Sequence, residues 1–416
     1  MVKNELMRSN TKILLAILVI SLQFNYFANA EENLSWFKGN THTHSLWSDG
    51  NDFPEMIAKY YKDNGYHFLV LSDHNILSRG EKWMTIESVE KRRRTLGVPT
   101  MKKYLSTFGE EWVEIRGEEN KKQVRLKALN EIRPLFEKEK NFIFIQGEEI
   151  TNGFNGSPVH TNGINLMELI KPKKGNSLRE TMRNNIIAVQ EQAARLKKPM
   201  FAHINHPNFG WSITAEDIAH VLEEKFFEVY NGHPSINHMG NAQRPGDEKI
   251  WDIANTIRLS KLDALPLFGI ASDDSHHYHG GDSKPGRGWI MVNSSTLNED
   301  TIVNSINAGN FYATSGVHFK HLHRNQQNRI LEFEIKAEDG IKYVTKITGT
   351  KKGEENDPRK IGKVLASFEG AKVKYQLSEN DWYFRATVHS SKNHPNPSFK
   401  GQMEKAWTQP VWTSSN

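Results

Sequence analysis

Residues 39–50 read GNTHTHSLWSDG, with two imidazoles two positions apart and a carboxylate five positions later. On an extended backbone residues i and i+2 point to the same side, so His42 and His44 present paired nitrogen donors. A His-x-His pair alone says little: 18 histidines in 416 residues give about one by chance, and this chain has three. His321/His323 has no acidic companion in the sequence and reads as surface, and His277/His279 is ambiguous. What sets His42/His44 apart is recurrence, because similar groups end one short apolar run after another. They are Ser72-Asp73-His74-Asn75, Gly147-Glu148-Glu149-Ile150, His160 within Val159 to Ile164, His203-Ile204-Asn205-His206-Pro207, Glu228 with Asn231, and Ser272-Asp273-Asp274-Ser275-His276. The chain has no cysteine. Any metal must therefore be held by imidazole and carboxylate, donors that suit zinc, manganese or iron, and a carboxylate can bridge two ions where a neutral imidazole cannot. Gathered in one pocket without a cation, such groups would be poorly solvated and would compete for protons.

Those residues need a frame that brings strand ends together. From Trp36 onward, buried-strand runs at Phe68–Leu71, Phe142–Ile145, Val159–Ile164, Met200–Ala202, Phe226–Tyr230 and Leu267–Ala271 alternate with helical segments. One helix is expected after Asp52, which can cap it, and before Gly65. A second opens on the capping box Ser177-Leu178-Arg179-Glu180, and a third runs from about Gly246 to Leu262. An α/β fold with six or seven parallel units fits a closed barrel, with a doubly wound open sheet as the second choice. Residues 76–140 are a long insertion with 16 Lys plus Arg against 11 Asp plus Glu, expected to be helical and to act as a lid over the mouth. Residues 330–416 alternate in the β manner and predict a C-terminal all-β, sandwich-like domain.

Residues 1–30 carry Lys3, Arg8 and Lys12, an apolar run from Ile13 to Leu22 and Ala28-Asn29-Ala30, the pattern of a secretory signal peptide. The expected product is exported, periplasmic or extracellular, with no membrane span once that segment is removed. Its removal lowers the formal charge from +5 to +3, so a pI of 9.0 gives little reason to invoke nucleic acid.

At these motifs the sequence resembles the PHP (polymerase and histidinol phosphatase) superfamily of metal-dependent hydrolases, in order and spacing from Trp36 to about Thr314. "GEEIT", "SDDSHH", the export signal and a β domain ending in Ala406-Trp407-Thr408-Gln409-Pro410-Val411-Trp412 are similar to its carbaryl-hydrolase-like branch. The resemblance implies a distorted seven-stranded TIM-like β/α barrel over residues 31–320 and two or three divalent ions. One ion would take His42, His44, Glu149 and Asp274, a second Glu149, His160 and His206, and a third Asp49, His74 and His276. It favours Glu149 over Glu148, because the pattern is Gly-x-Glu-aliphatic, and His206 over His203, because the histidine precedes proline. Asp49 stands where some relatives have histidine, and Asp73 would orient His74. The expected activity is a phosphoesterase using a metal-bridging hydroxide on a small-molecule or polymer-end anionic substrate. Arg287, Asn75 and Asn205 are expected to contact that substrate. The alternatives are carbamate, ester or amide hydrolysis on the same centre, or a non-enzymatic secreted protein that binds glycan through Trp382, Trp407 and Trp412.

Overall fold

The computed structural model describes residues 34–93 and 97–413, so the predicted signal peptide lies outside the described residues. Strand β1 (Ser35–Asn40) is followed by a helix, Pro54–Asp63, and by β2 (Phe68–Leu71), parallel to β1. The helix starts one residue later than expected. Phe53 is the N-cap without a side-chain bond, and Asp52 instead accepts the Phe53 N–H (2.8 Å) while facing His279 Nε2 (2.9 Å). The insertion then runs through β3 (Lys82–Thr85), helices Ile86–Arg92 and Thr100–Phe108, β4 (Ile115–Arg116), β5 (Gln123–Leu126) and helix Leu129–Phe136. It is not purely helical, because β3-β5-β4 form a three-stranded antiparallel sheet. Alternation in β5 turns Val124 and Leu126 inward, and they join Val89, Met101 and Tyr104 against Leu46, Trp47 and Phe53.

The main chain of strands resumes with β6 (Ile143–Phe154), parallel to β2, and β7 (Ser157–Ile164). After helix Leu178–Leu196, capped by Ser177 accepting the Glu180 N–H, comes β8 (Phe201–Ile204). Helix Ala215–Ala219, β9 (Phe226–Asn231), helix Asp247–Lys261 and β10 (Phe268–Ser272) complete this half. The all-parallel expectation fails at β7, which is antiparallel to both β6 and β8. The cause is Asn155-Gly156, both at positive φ (48° and 83°), the two-residue turn that closes a hairpin. β6 thus runs on past the Gly147–Ile150 motif, and His160 returns opposite Thr151. Apolar side chains from these strands (Phe68, Val70, Ile145, Ile164, Phe201, Phe226, Ile270) form one core cluster. The helices cover the other face through Ile186, Val189, Ile218, Trp251 and Ala254. The ends of β1 and β10 meet through a single parallel bridge from Thr43 to Ser275, with the Asp274 N–H donated to the His42 carbonyl (3.0 Å).

β11 (Trp289–Ser294), helix Glu299–Asn307 and β12 (Phe311–Thr314) extend the sheet beyond β1. The remaining strands are β13 (Phe319–Asn325), β14 (Ile330–Ile335), β15 (Tyr343–Lys351), β16 (Lys363–Glu369), β17 (Lys372–Gln376), β18 (Asp381–Asn393), β19 (Met403–Trp407) and β20 (Val411–Trp412). β13-β14-β17 form a separate sheet. β19, β18, β15 and β16 instead continue from β12, giving a mixed α/β chain with one 14-stranded sheet. Residues from Trp36 onward form one compact unit. His321 and His323 lie on β13, opposite Glu334 and Glu332 of β14, acidic companions that the local sequence did not show. Among the described residues no helix is long and apolar enough to cross a membrane.

Candidate metal centre

The loop after β1 carries the first donors. Thr43 bridges Ser275, so His42 and His44 flank that contact on an extended backbone, both fully buried. Gly50 packs where no other residue fits, since a Cβ there would lie 2.4 Å from the His44 carbonyl oxygen. On β6 the alternation separates two neighbours. Glu148 faces away and accepts the Ile170 N–H (2.6 Å), and burial pushes its carboxyl up to about 7. Glu149 points into the site, where its backbone bridges His74. His206 and Asp274 adopt positive φ (23° and 47°), a conformation uncommon for residues other than glycine and often found at functional sites.

The structure brings all nine sequence-named donors into four overlapping groups whose ligating atoms lie within 4.8 Å of one another. His42 Nε2 is 3.5 Å from Glu149 Oε2 and 3.3 Å from Asp274 Oδ1, and His44 Nε2 is 3.3 Å and 3.2 Å from the same two oxygens. Glu149 Oε1 faces the other way, 3.0 Å from His160 Nδ1 and 3.4 Å from His206 Nε2. A third group gathers on Asp49, 3.4 Å from His74 Nε2 and 3.4 Å from His276 Nε2, with His44 Nδ1 at 3.5 Å. Donors about 2.1 Å from a shared ion in a tetrahedral array sit roughly 3.4 Å apart, the spacing seen here. His42 Nε2, His44 Nε2, Glu149 Oε2 and His160 Nδ1 are also buried without a hydrogen-bond partner. The donor set therefore fits divalent ions, with Glu149 able to bridge two of them.

Titration behaviour reports the same crowding. Burial disfavours a charged His42, yet Asp274, Glu228 and Glu149 hold its pKa well above the usual imidazole value. His74 is raised to about 11 against its burial, chiefly by Glu149 and Asp49. His44 is pushed down to about 4 by burial and by the neighbouring imidazoles of His276 and His74. Glu149 and Asp274 stay well below the carboxylate range in spite of burial because imidazoles surround them.

Several assignments change. Glu228, which the sequence marked only as a strand end, lies 2.7 Å from His42 Nδ1 and accepts the His206 N–H (2.8 Å). Asp73 does not orient His74; it accepts from Ser45 N and Oγ (2.8 and 2.7 Å) and from Ser48 N and Oγ (3.0 and 2.6 Å). His74 Nδ1 instead faces Thr151 Oγ1 at 2.5 Å. None of the three expected substrate contacts lines the cleft. Asn205 is buried and donates to Glu149 Oε1 (2.8 Å), and Asn75 exchanges hydrogen bonds with the Thr151 backbone. Arg287 is buried with Nη1 on the Gly232 carbonyl (2.8 Å).

The cleft over the donors, about 460 Å³, is lined by Asp49, His74, Glu149, His160, His206, Asp274 and His276, with Phe209, His233, Ser235, Ile236, His277 and Asp282 completing the wall. Of those six only His277 lay in a histidine pair singled out in the sequence; Phe209 opens a short 3-10 helix, and the rest sit in loops with no distinguishing pattern. A larger cleft of about 620 Å³ lies elsewhere, but its Arg133 is paired with Glu137 and Glu299 and no histidine lines it.

No family model and no curated protein matches the chain. Among solved structures it is similar to a two-domain protein from Bacteroides vulgatus ATCC 8482 containing a predicted PHP-like metal-dependent phosphoesterase. That match has 14% identity, covers 90% of this chain and 95% of that one, and has a TM-score of 0.42. A protein named as a metal-dependent phosphoesterase from Bifidobacterium adolescentis ATCC 15703 matches at 11% identity, over 65% and 94% of the two chains, with a TM-score of 0.30. An amidohydrolase from Chromobacterium violaceum matches at 12% identity, over 58% and 88%, with a TM-score of 0.30. The solved structures to which this chain is similar thus include one containing a predicted PHP-like metal-dependent phosphoesterase, one named as a metal-dependent phosphoesterase and an amidohydrolase.

Proposed function

We propose that this protein is a metal-dependent hydrolase of the PHP type, acting first as a phosphoesterase. The observation that carries the reading is the convergence of buried, unpartnered imidazole and carboxylate atoms on both oxygens of Glu149. His42, His44, Glu149 and Asp274 would hold one ion, Glu149, His160 and His206 a second, and Asp49, His74 and His276 a third. Bound there, divalent ions acidify water and neutralise charge that develops on the substrate. Glu228 orients His42 through Nδ1, Asn205 fixes Glu149, and the burial of both keeps bulk water from competing for the donors. The bridge from Thr43 to Ser275 supports a closed, distorted barrel, and the reading includes export directed by residues 1–30.

A second reading, hydrolysis of a carboxylic ester, carbamate or amide, is favoured by the cleft wall. Among the described residues no lysine or arginine lines it, so apart from the proposed ions and the imidazoles the wall holds no side-chain cation for an anionic substrate. Glycan binding loses its basis, because Trp407 is buried and stacked on Tyr230 rather than presented in a row with Trp382 and Trp412. The test is elemental analysis of the purified chain, coupled to turnover of chromogenic phosphomonoesters, phosphodiesters and carboxylic esters. The expected result is at least two ions per chain, metal-dependent turnover, and loss of most metal in the His42→Ala/His44→Ala variant. A double variant metallated like the parent would sink the reading.

A further inference from the structure

The insertion at 76–140 contributes no residue to the cleft wall, yet it reaches the loop that carries Asp49. Arg92, in the helix Ile86–Arg92, donates Nη1 to the Ser48 carbonyl (2.6 Å) and to the Gly50 carbonyl (3.1 Å), the carbonyls of the two residues on either side of Asp49. Lys82 Nζ donates to the Trp47 carbonyl, and Trp47 Nε1 donates back to the Lys127 carbonyl (3.1 Å). Apolar packing of Leu46, Trp47 and Phe53 against Val89, Val124 and Leu126 fixes the same segment from below. The loop's other ties include the Asp73 bonds to Ser45 and Ser48, the Ser48 hydroxyl donated to Asp49 Oδ1 (3.2 Å), the Asn51 N–H donated to the His276 carbonyl (2.9 Å) and the Tyr278 N–H donated to Asn51 Oδ1 (2.7 Å). Among the described residues Arg92 is the side chain that bonds the carbonyls of both Ser48 and Gly50, one on each side of Asp49. Asp49 itself is half exposed, with a side-chain exposure of 54%, so little packing restrains it.

We infer that Arg92 is a positioning residue, and that by clamping the Ser48 and Gly50 carbonyls it sets Asp49 for the third ion without touching that ion. The inference rests on the metal-centre reading above. It assigns the insertion to the floor of the metal loop rather than to a lid, and it makes occupancy of the position formed by Asp49, His74 and His276 depend on a residue of the insertion. Asp49 is the only carboxylate of that group. A displaced Asp49 leaves only the two imidazoles of His74 and His276, neutral donors of lower affinity for a hard divalent ion.

The test uses the full chain, stripped of metal and titrated with Mn²⁺, with ions counted by elemental analysis and native mass spectrometry. Arg92→Ala, Arg92→Lys, Asp49→Asn, the double variant Asp49→Asn/Arg92→Ala and a surface control, Lys91→Ala, are compared. The expected result is that Arg92→Ala loses one ion of the parent's complement, or binds it at least tenfold more weakly, while the others stay. Arg92→Lys keeps a single donor nitrogen and recovers part of that affinity, and the double variant is no worse than Asp49→Asn. Equal occupancy in Arg92→Ala and the parent overturns the inference and leaves the hydrolase reading standing. Loss of every ion in Arg92→Ala, or of the same ion in Lys91→Ala, also overturns it, since the effect would then be general destabilisation. A parent that binds no ion overturns both.

Discussion

Glu228 shows how much of this centre depends on groups that do not touch the proposed ions. Its Oε1 orients His42 Nδ1 and receives the Ser272 hydroxyl (2.5 Å); its Oε2 receives the His206 N–H and the Asn231 side chain (2.8 Å each). One carboxylate thus fixes two donors, and His42 holds its pKa down to about 2 in spite of full burial. Glu228→Gln keeps the shape and removes the charge, so metal affinity should fall by about 10–100-fold with the fold intact, as read by competition with a chromophoric chelator. Unchanged affinity would mean that His42 is oriented by something else. A second expectation follows from the imidazoles that surround Glu149 and Asp274. Because His42 and His74 have raised pKa values, ion binding must release protons, and affinity should weaken as pH falls. Calorimetry in buffers of different ionisation enthalpy measures that release; binding with no proton exchange at pH 7 would contradict it. Strand-end position let the sequence name nine residues whose side chains the fold gathers, but it could not separate a carboxylate that faces the cluster from one that binds an imidazole. Arg287, expected to contact the substrate, is drawn inward instead: Asp273 accepts the backbone N–H groups of Gly286, Arg287 and Gly288 (2.8, 2.6 and 2.9 Å).

At the scale of elements, periodicity located the strands, and the errors fell where local chemistry outweighs it. The parallel pattern breaks at Asn155-Gly156, a hairpin signal that was present in the sequence and was masked by reading Gly147–Ile150 as a strand end. The insertion's sheet was harder to see, since β3, β4 and β5 have only 4, 2 and 4 residues. The entry to β9 carries a different kind of strain. Glu224 is fully buried; its Oε1 accepts the N–H groups of Lys225 and Phe226 (2.7 Å each), and its Oε2 has no partner. Burial pushes its pKa up to about 8 from 4.5. The folded state therefore binds a proton that the unfolded state has already lost between those values, and stability contributed by this group falls as pH rises from 4.5 to 8. Glu224→Gln should remove that slope, matching the parent near pH 4 and exceeding it at pH 8 by on the order of a few kcal/mol. Denaturant melts of both proteins at the two pH values decide it; parallel pH profiles would show that Glu224 ionises normally.

The whole molecule is tied together by its C-terminal strands more closely than a separable module would require. β19 pairs with β12, Gln409 exchanges side-chain bonds with Gly269 of β10 (2.8 and 2.9 Å), and Trp407 stacks on Tyr230 of β9. The strongest tie is Arg385 of β18, which grips Asp252 of the helix Asp247–Lys261 through Nε and Nη2 (2.9 and 2.8 Å) while Tyr383 donates to the same carboxylate (2.9 Å). Composition distinguished the β-rich end from the rest, but only pairing shows that its strands prolong the same sheet, because register between distant segments leaves no local mark. Both charges of the Arg385–Asp252 pair are buried, so removing one leaves the other unpaired, at a cost of about 3–5 kcal/mol. Arg385→Ala should accordingly lower the melting temperature of the whole chain in a single transition. Below that transition its metal content should equal the parent's, since neither residue touches a proposed donor. Replacing both partners, Arg385→Met with Asp252→Leu, should recover much of the loss, as apolar packing substitutes for a buried pair. Two separate transitions in Arg385→Ala, with the metal retained through the first, would instead show that the β-rich end unfolds on its own and that the shared sheet does not couple it to the centre.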